Sequence, residues 1–566
     1  MALSGNTTWE ANASGSDNNG GGFNPSNANF ATDLTTDTNT GNTSAPVVSS
    51  ASYNFQAADV GALLFVKSGT NWIPGYYPIA SVAANKATLT ASAGSADLFG
   101  GATLLNTATG CATVGTPTGG TFGIDYSRMT TVPFAFTDMV IDGATNTKFT
   151  SAAKPVGKNY IGNIINVTSG TGFTVQRVEV VSTVTTTATC DKSLGTLGST
   201  GGNGNLGGAL GSLAVFASTA IMGNRCFMKA GSYASITASV SFAQSGSGYQ
   251  FNAPALKIVG YTTYRGDNGR TSLTLATNTG ITCFNCTATP TFIENFSVDC
   301  ASLGTSIGIK VSQYSTIRNC EVKNATSFGI DTTANNIVAF CEVTGCTAAA
   351  TVAVRLGTSS MIVFSRIYSN TCPGLLINST SCNAMYNAIY SNSGASSDGI
   401  SYGTFYQTII VHNVIDSNGR DGIRGSQYFI SQLVFGNIIS NHTAGGAAGF
   451  RGHTSAGLPA LIHYDGNAYY NNTSNRVNMD DLGSVNPIDG VVPYVNVLDV
   501  ACSASPYADQ ATADFRLNNT AGGGAACRAV GIPGAMPGLS QVGYPDIGLF
   551  QHQDGIGAGR WILGTH

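Results

Sequence analysis

The chain reads as an all-β protein: a right-handed, single-stranded parallel β-helix with an extended N-terminal arm and a C-terminal cap. Two recurring markers and the lack of any helical period predict this. The first marker is a short phrase, FSVDC, CEVKN, CEVTG, SRIYSN, NAIYSN, NVIDSN, NIISN and NAYYNN, aligned on Val298, Val322, Val343, Ile367, Ile389, Ile415, Ile439 and Tyr469. Its successive spacings are 24, 21, 24, 22, 26, 24 and 30 residues. The second marker follows at a fixed phase, a small residue then an apolar one: Gly308-Ile309, Gly329-Ile330, Ala353-Val354, Gly374-Leu375, Gly399-Ile400, Gly422-Ile423 and Gly449-Phe450. Two markers in constant phase with a period of roughly 24 residues are what a solenoid looks like in sequence.

Between markers, apolar residues alternate over only a few positions, rich in Val, Ile, Phe and Thr, before Asn, Gly or Ser intervenes. Such units are short strands and turns. Stacked coils place equivalent residues about 4.8 Å apart, so like side chains form ladders, and a stack buries an inner face that one coil cannot. Cys320 and Cys341, each two residues before an aligned Val, are predicted to point inward. Asn387, Asn413, Asn437 and Asn467 are predicted to form a ladder at a turn, where left-handed backbone and amide bonding suit Asn.

Composition narrows the function classes. Only 10% of the 566 residues are charged, against about 25% in ordinary globular domains, a balance suited to β-solenoids and fibres. The net charge of −4 leaves no basic footprint, so no nucleic-acid partner is expected. The cysteines number 13, and the Cys283-x-x-Cys286 pair has no second pair at zinc spacing. They are read as buried small hydrophobes, with no metal and no cofactor, although Cys502 and Cys527 are candidates to pair. The N-terminus lacks the basic and apolar regions of a secretory signal, so synthesis in the cytoplasm is expected. Residues 207–223 are too short and interrupted an apolar run to cross a membrane; Leu206, Leu210 and Leu213 suggest one short amphipathic helix.

In chain order, residues 1–54 read as a polar arm, with Trp9 and Phe23 as docking anchors. Residues 55–224 hold a duplicated β unit that starts the solenoid: GALLFVKSGTNW from Gly61 is answered by GNIINVTSGTGF from Gly162, an offset of 101. The loop GSTGGNGNLGG lacks the Gly-Lys-Ser/Thr ending and strand–helix context of a phosphate cradle. Coils occupy 225–475, and 476–566 reads as a cap over the open strand edge at the solenoid's end.

The coils with Asn-x-Ile-x-x-Asn and Gly-Ile resemble parallel β-helix proteins of the pectate-lyase-like superfamily. The ends resemble phage-encoded β-helix proteins: Trp9 with GSDNNGGGF, the SGT-aromatic strands, GSTGGNGNLGGAL, GNRCFMKAGSY, and the closing DFRL, GGGAACR and GYPDIGLFQHQ. The resemblance implies a structural protein of a tailed-phage virion, a spike, fibre or head decoration. It further implies a homotrimer docked to other virion proteins through its arm, with a host glycan as ligand and no membrane partner. A polysaccharide lyase or glycosidase of the tail-spike type is the alternative. A bacterial surface adhesin comes third, disfavoured by the missing signal and anchor.

Cleavage of a polysaccharide needs two carboxylates on one face. The coils offer Asp299, Glu321, Asp331, Glu342, Asp398, Asp416, Asp421 and Asp465. Glu321 and Glu342 share a ladder position, but Lys323 and Arg318 nearby suit a solvated, neutralised face. Asp416, Arg420 and Asp421 form the densest charge cluster; the Asp-x-Asn opening there lacks the other ligands of a calcium loop. The histidines His442, His453 and His463 are too irregularly spaced for a metal cluster. Glycan contact, were it to occur, falls to Tyr386, Tyr390, Tyr402, Tyr406, Tyr469 and Tyr470, with His412 and Tyr428 beside the Asp416–Asp421 groove.

Overall fold

The computed structural model describes residues 3–37, 40, 43–90, 110–113, 115–243, 255–263, 265–276, 280–287, 290–347, 352–403, 407–425, 432–452, 462–477, 499–528 and 546–549. The chain divides into two compact units: residues 1–234 with 241–272, and residues 235–240 with 273–566.

The second unit is the predicted stack, and the whole protein is all-β with a parallel solenoid of about seven turns. Each rung contributes one strand to each of three parallel sheets. In one rung these are Thr316–Arg318 in the first sheet, Glu321–Lys323 in the second and Phe328–Thr332 in the third. The register is the one the first marker predicts, running Val298, Val322, Val343, Ile367, Ile389, Ile415, Ile439, Tyr469 without a slip. The second marker lies in the third sheet, in register from Ile309 to Phe450.

The geometry joins the two markers. A Cβ built on Gly308, Gly329, Gly399 or Gly422 would come within 2.3, 2.5, 2.5 and 2.5 Å of the γ-carbons of Val322, Val343, Ile415 and Ile439. The small residue of one marker is therefore the space into which the β-branched residue of the other packs.

Two side-chain columns flank the aligned residue. One runs Phe296, Cys320, Cys341, then Asn387, Asn413, Asn437 and Asn467, all buried. The Asn residues do not hold the left-handed turn, as the sequence suggested. That conformation belongs to the residue before each: Asn319 (φ 48°), Phe340 (56°), Phe364 (52°), Tyr386 (54°) and His412 (54°). The amides instead point inward and bond along the stack, with Asn413 Nδ2 donating to Asn437 Oδ1 at 2.9 Å and Asn387 Nδ2 to Asn413 Oδ1 at 3.0 Å. A second amide column, Asn370, Asn392 and Asn418, continues into His442 and Asn472 on the other side. The phrase Asn-x-Ile-x-x-Asn is thus one inward Ile between two hydrogen-bonded ladders.

The first unit corrects the expected N-terminal arm and the expected start of the coils. Thr8–Ala11 is itself a solenoid strand, pairing parallel with Arg225–Lys229, which pairs with Leu256–Tyr261. Trp9 is buried in this first rung, and its indole donates to Asn224 Oδ1 at 3.1 Å. The helix Leu213–Thr219, capped by Ser212, lays Phe216 against it. Between the first and second rungs the chain builds two closed six-stranded barrels rather than coils, one from Ala31–Thr36 to Thr118–Asp125, the other from Phe134–Ile141 to Gly202–Leu206. The duplication therefore runs from residue 31 to residue 206, not from 55 to 224. Each copy carries the same clasp: Asp33 accepts from Ser50 Oγ and Ser52 N, and Asp138 from Ser151 Oγ and Ala153 N. The two Gly-rich loops pack together, Gly20 N and Gly21 N donating to the carbonyls of Gly207 and Gly208. A Cβ on Gly20 would fall 2.0 Å from the carbonyl oxygen of Ile164, so those glycines serve close backbone approach.

Candidate functional surfaces of the solenoid

The three sheets present outward faces of different character. On the second sheet the columns flanking the aligned residue begin charged. Glu321 and Glu342 stand opposite each other in adjacent rungs, with Arg366 next. Glu321 is engaged by Lys323 Nζ at 2.8 Å and Ser297 Oγ at 2.7 Å. Further along, the same column turns apolar at Ala388, Val414, Ile438 and Ala468.

The tail covers that apolar part, lying along the side of the sheet instead of only across its end. Val500–Ala501 adds the last strand of the second sheet. The hairpin Tyr507–Asp509 and Asp514–Leu517, Cys527, Ile547 and Leu549 then form one core with Tyr386, Ala388, Tyr390, Val414, Ile438 and Ala468. Exposed apolar columns need such a cover, and sheet faces are buried by neighbouring elements.

Asp416 lies beneath this cover. Its carboxylate accepts from Ser440 Oγ at 2.6 Å, Asn441 Nδ2 at 2.7 Å, Ser417 Oγ at 2.9 Å and Gln510 Nε2 at 3.0 Å. A carboxylate with four donors and no exposed face is a clamp for the tail, not a free acid or base. Asn418 turns inward to its ladder, so Asp416 and Asn418 do not converge on a cation.

Three more of the sequence-predicted acids, Asp331, Asp398 and Asp421, lie in or beside strands of the third sheet. Asp331 is held bidentately by Arg355 at 2.7 and 2.8 Å, and Asp398 by Arg420 at 2.7 and 2.6 Å. Asp421, wholly buried, accepts from Arg424 and Arg451, each at 2.8 Å, and from the Ala448 amide at 2.7 Å. Burial pushes the Asp398 carboxyl above its ordinary range, against the pull of Arg420. Buried carboxylates of this kind persist because they are paired. Asp416 and Asp421, the residues the sequence favoured for a groove, thus serve different sheets and different partners.

Nor, among the described residues, do the predicted glycan-binding rings Tyr386, Tyr390, Tyr402 and Tyr469 present free faces. Tyr386 is sandwiched between Phe364 at 5.4 Å and His412 at 5.0 Å, and Tyr390 lies between Tyr368 at 5.1 Å and Phe515 at 5.0 Å. Tyr402 and Tyr469 are interior. Tyr406, Tyr428 and His453 lie outside the described residues, as do the side chains of His463 and Asp465. Trp9 and Phe23 are both fully buried, so neither side chain is available to a docking partner.

Burial also lowers the His412 imidazole from 6.5 to about 4. Between those values the unfolded chain takes up a proton that the folded chain refuses. Stability contributed by this residue is therefore whole above pH 6.5 and is lost as pH falls toward 4, by roughly 3 kcal/mol in total. His412→Asn, which tolerates the same left-handed backbone, is expected to lose that share of the acid sensitivity, measured as the difference in urea midpoints between the two proteins across that range.

The first sheet holds what sequence reasoning missed. Its central residues Ile317, Val338, Ile362, Ala384, Ile410 and Val434 point inward and are buried. The outward columns from the Ile337 rung to the Leu433 rung are Ile337, Met361, Asn383, Ile409, Leu433 and Ala339, Val363, Met385, Val411, Phe435. Nine of these ten are apolar and none is charged, but only the first column lies open, with Ile337 39% and Leu433 37% exposed, whereas Ala339 and Val411 are buried and Val363 and Met385 pack against the core formed by the tail.

Strand register and these faces define a parallel β-helix protein with two β barrels built into its first unit. No protein-family profile and no curated protein sequence matches the chain. Among solved structures it is similar to pectate lyase Pel9A, at 13% identity and TM-score 0.44 over 61% of this chain and 92% of that one. It is also similar to the A-module of the Azotobacter vinelandii mannuronan C-5 epimerase AlgE4 (13%, TM-score 0.27, 45% and 86%) and to the Dettilon tailspike protein (14%, TM-score 0.28, 47% and 57%). These likenesses concern the fold alone, which the register establishes independently.

Proposed function

We propose that this chain is a structural shaft protein of a tailed-phage particle, a β-helical spike, fibre or head decoration, whose copies associate as a homotrimer through the outer face of the first sheet. The observation that carries the reading is the open column of that face, Ile337, Met361, Asn383, Ile409 and Leu433. Single exposed apolar residues are ordinary on a soluble protein, but a contiguous uncharged stripe marks an association surface. It spans five rungs, about 19 Å at the usual strand spacing. A second copy suits it because two such faces are mutually uncharged, and closed homo-oligomers are the common assembly of soluble chains.

Docking to other virion proteins, which the buried Trp9 and Phe23 do not supply, falls in this reading to the second barrel, where Val175, Val184 and Leu197 are exposed. Contact with a host glycan remains compatible with the charged part of the second sheet around Glu321, Glu342 and Arg366. Polysaccharide cleavage is supported less well, because Asp416 and Asp421 have their oxygens occupied by donors from the protein itself.

Sedimentation of the double variant Ile337→Lys/Leu433→Lys tests the proposal. Both positions point outward, so the rungs are expected to form, while association weakens at least tenfold. A variant that folds and keeps the wild-type sedimentation coefficient at every concentration removes the association face from the account.

A further inference from the structure

The cover over the second sheet is held at both ends by a cysteine. Cys502 follows the last parallel strand, its amide donating to the Tyr469 carbonyl at 2.8 Å. Cys527 closes the short helix Gly524–Cys527 and sits in the core beneath the cover. Their Sγ atoms are 3.6 Å apart across 25 residues of chain. Between them lie Tyr507 and Phe515, which pack on each other at 5.0 Å, Phe515 also reaching Tyr390, and Gln510, which bonds Asp416. We propose that Cys502 and Cys527 are a disulfide-forming pair that, in an oxidising medium, locks the segment 502–527 onto the side of the solenoid.

Three observations support it. The two sulfurs are already in contact, and side-chain rotation need close only the remaining gap to a bond of about 2.05 Å. Cys502 is half-buried and within reach of a reagent, while Cys527 is enclosed and meets Cys502 from within. Contact between the two sulfurs shifts the Cys502 thiol down and, together with burial, the Cys527 thiol up; the more accessible sulfur is therefore the attacking one. The remaining eleven cysteines are buried like Cys527, so Cys502 is the one of the thirteen that differs in access.

The step balances with a low-molecular-weight disulfide as oxidant. The Cys502 thiolate attacks one of its sulfurs, the reagent's S–S bond breaks, and one thiolate leaves. Cys527 then gives its proton to solvent, its sulfur attacks Cys502, and the second thiol departs. The protein loses two electrons and two protons, and the reagent becomes two thiols.

The test uses the full chain, incubated natively with oxidised glutathione or with dithiothreitol, then alkylated and mapped by mass spectrometry. The expected result is a crosslinked peptide pair two mass units lighter than the reduced pair. Proteolysis within 502–527 should be slowed at least tenfold in the oxidised form, and both effects should be absent in Cys502→Ser. The wild-type comparison of oxidised and reduced protein stands without any variant. A stable glutathione adduct on Cys502, two thiols that stay reduced, or a crosslink that leaves proteolysis unchanged would overturn the proposal.

Discussion

Replacing Asn413 with leucine is expected to cost the solenoid about 3 to 5 kcal/mol, several times the effect of an average substitution. The Asn413 oxygen accepts from the amide and side chain of Asn387, at 2.9 and 3.0 Å. Its nitrogen donates to the carbonyls of Ala384 and Val411 and to Asn437 Oδ1, at 2.9, 3.0 and 2.9 Å. Leucine keeps the branched side-chain shape and removes all five bonds, leaving buried donors and acceptors on three rungs without water to replace them. Chemical denaturation read by far-ultraviolet circular dichroism measures this. A loss under 1 kcal/mol would mean that packing alone holds the stack.

The second large effect is expected at Arg265 in the first unit. Its guanidinium bonds Glu10 at 2.6 Å, faces Asp125 at 3.5 Å, and lies over the rings of Phe227 at 4.7 Å and Tyr76 at 5.6 Å. All three ionisable groups are buried. The arrangement joins the first barrel, through Asp125 and Tyr76, to the first rung, through Glu10. Arg265→Met leaves two buried carboxylates with no cation between them, a loss that costs about 3 to 5 kcal/mol when one partner of a buried pair is removed. Adding Glu10→Gln is expected to recover at least about 1 kcal/mol, because one of the two unpaired charges goes with it. Equal melting temperatures for the single and double variants would show that the cluster is not electrostatic in origin.

The sequence carried the inside of the solenoid better than its outside. Val298 to Tyr469 could be aligned by eye because an inward column admits few residue types, and the glycines beside it were visible because the same Val and Ile crowd them. One of the two Asn columns was found but misplaced: the amide bonds lie between rungs, and spacing along the chain does not show which residue takes the left-handed corner. The apolar outer face of the first sheet was hidden for a simpler reason. In Ile337-Val338-Ala339 the inward and outward residues are all apolar, so the alternation that separates core from surface is lost.

The tail and the barrels failed differently. Gln510 reaches Asp416 across 94 residues of sequence, a contact no local pattern announces, so Asp416 looked like a free acid. The SGT repeat revealed half of each barrel, but Ala31–Thr36 lies in a polar stretch and read as part of an arm. Its counterpart in the second copy, Phe134–Ile141, shares only the Asp33 and Asp138 clasp to betray it.

The mass of the unmodified chain in dilute solution tests the account most directly, since a shaft built by association must be more than one chain. Light scattering coupled to gel filtration is expected to return three times 57.9 kDa. A single species of 57.9 kDa at every concentration up to about ten micromolar, where specific interfaces are occupied, would contradict it.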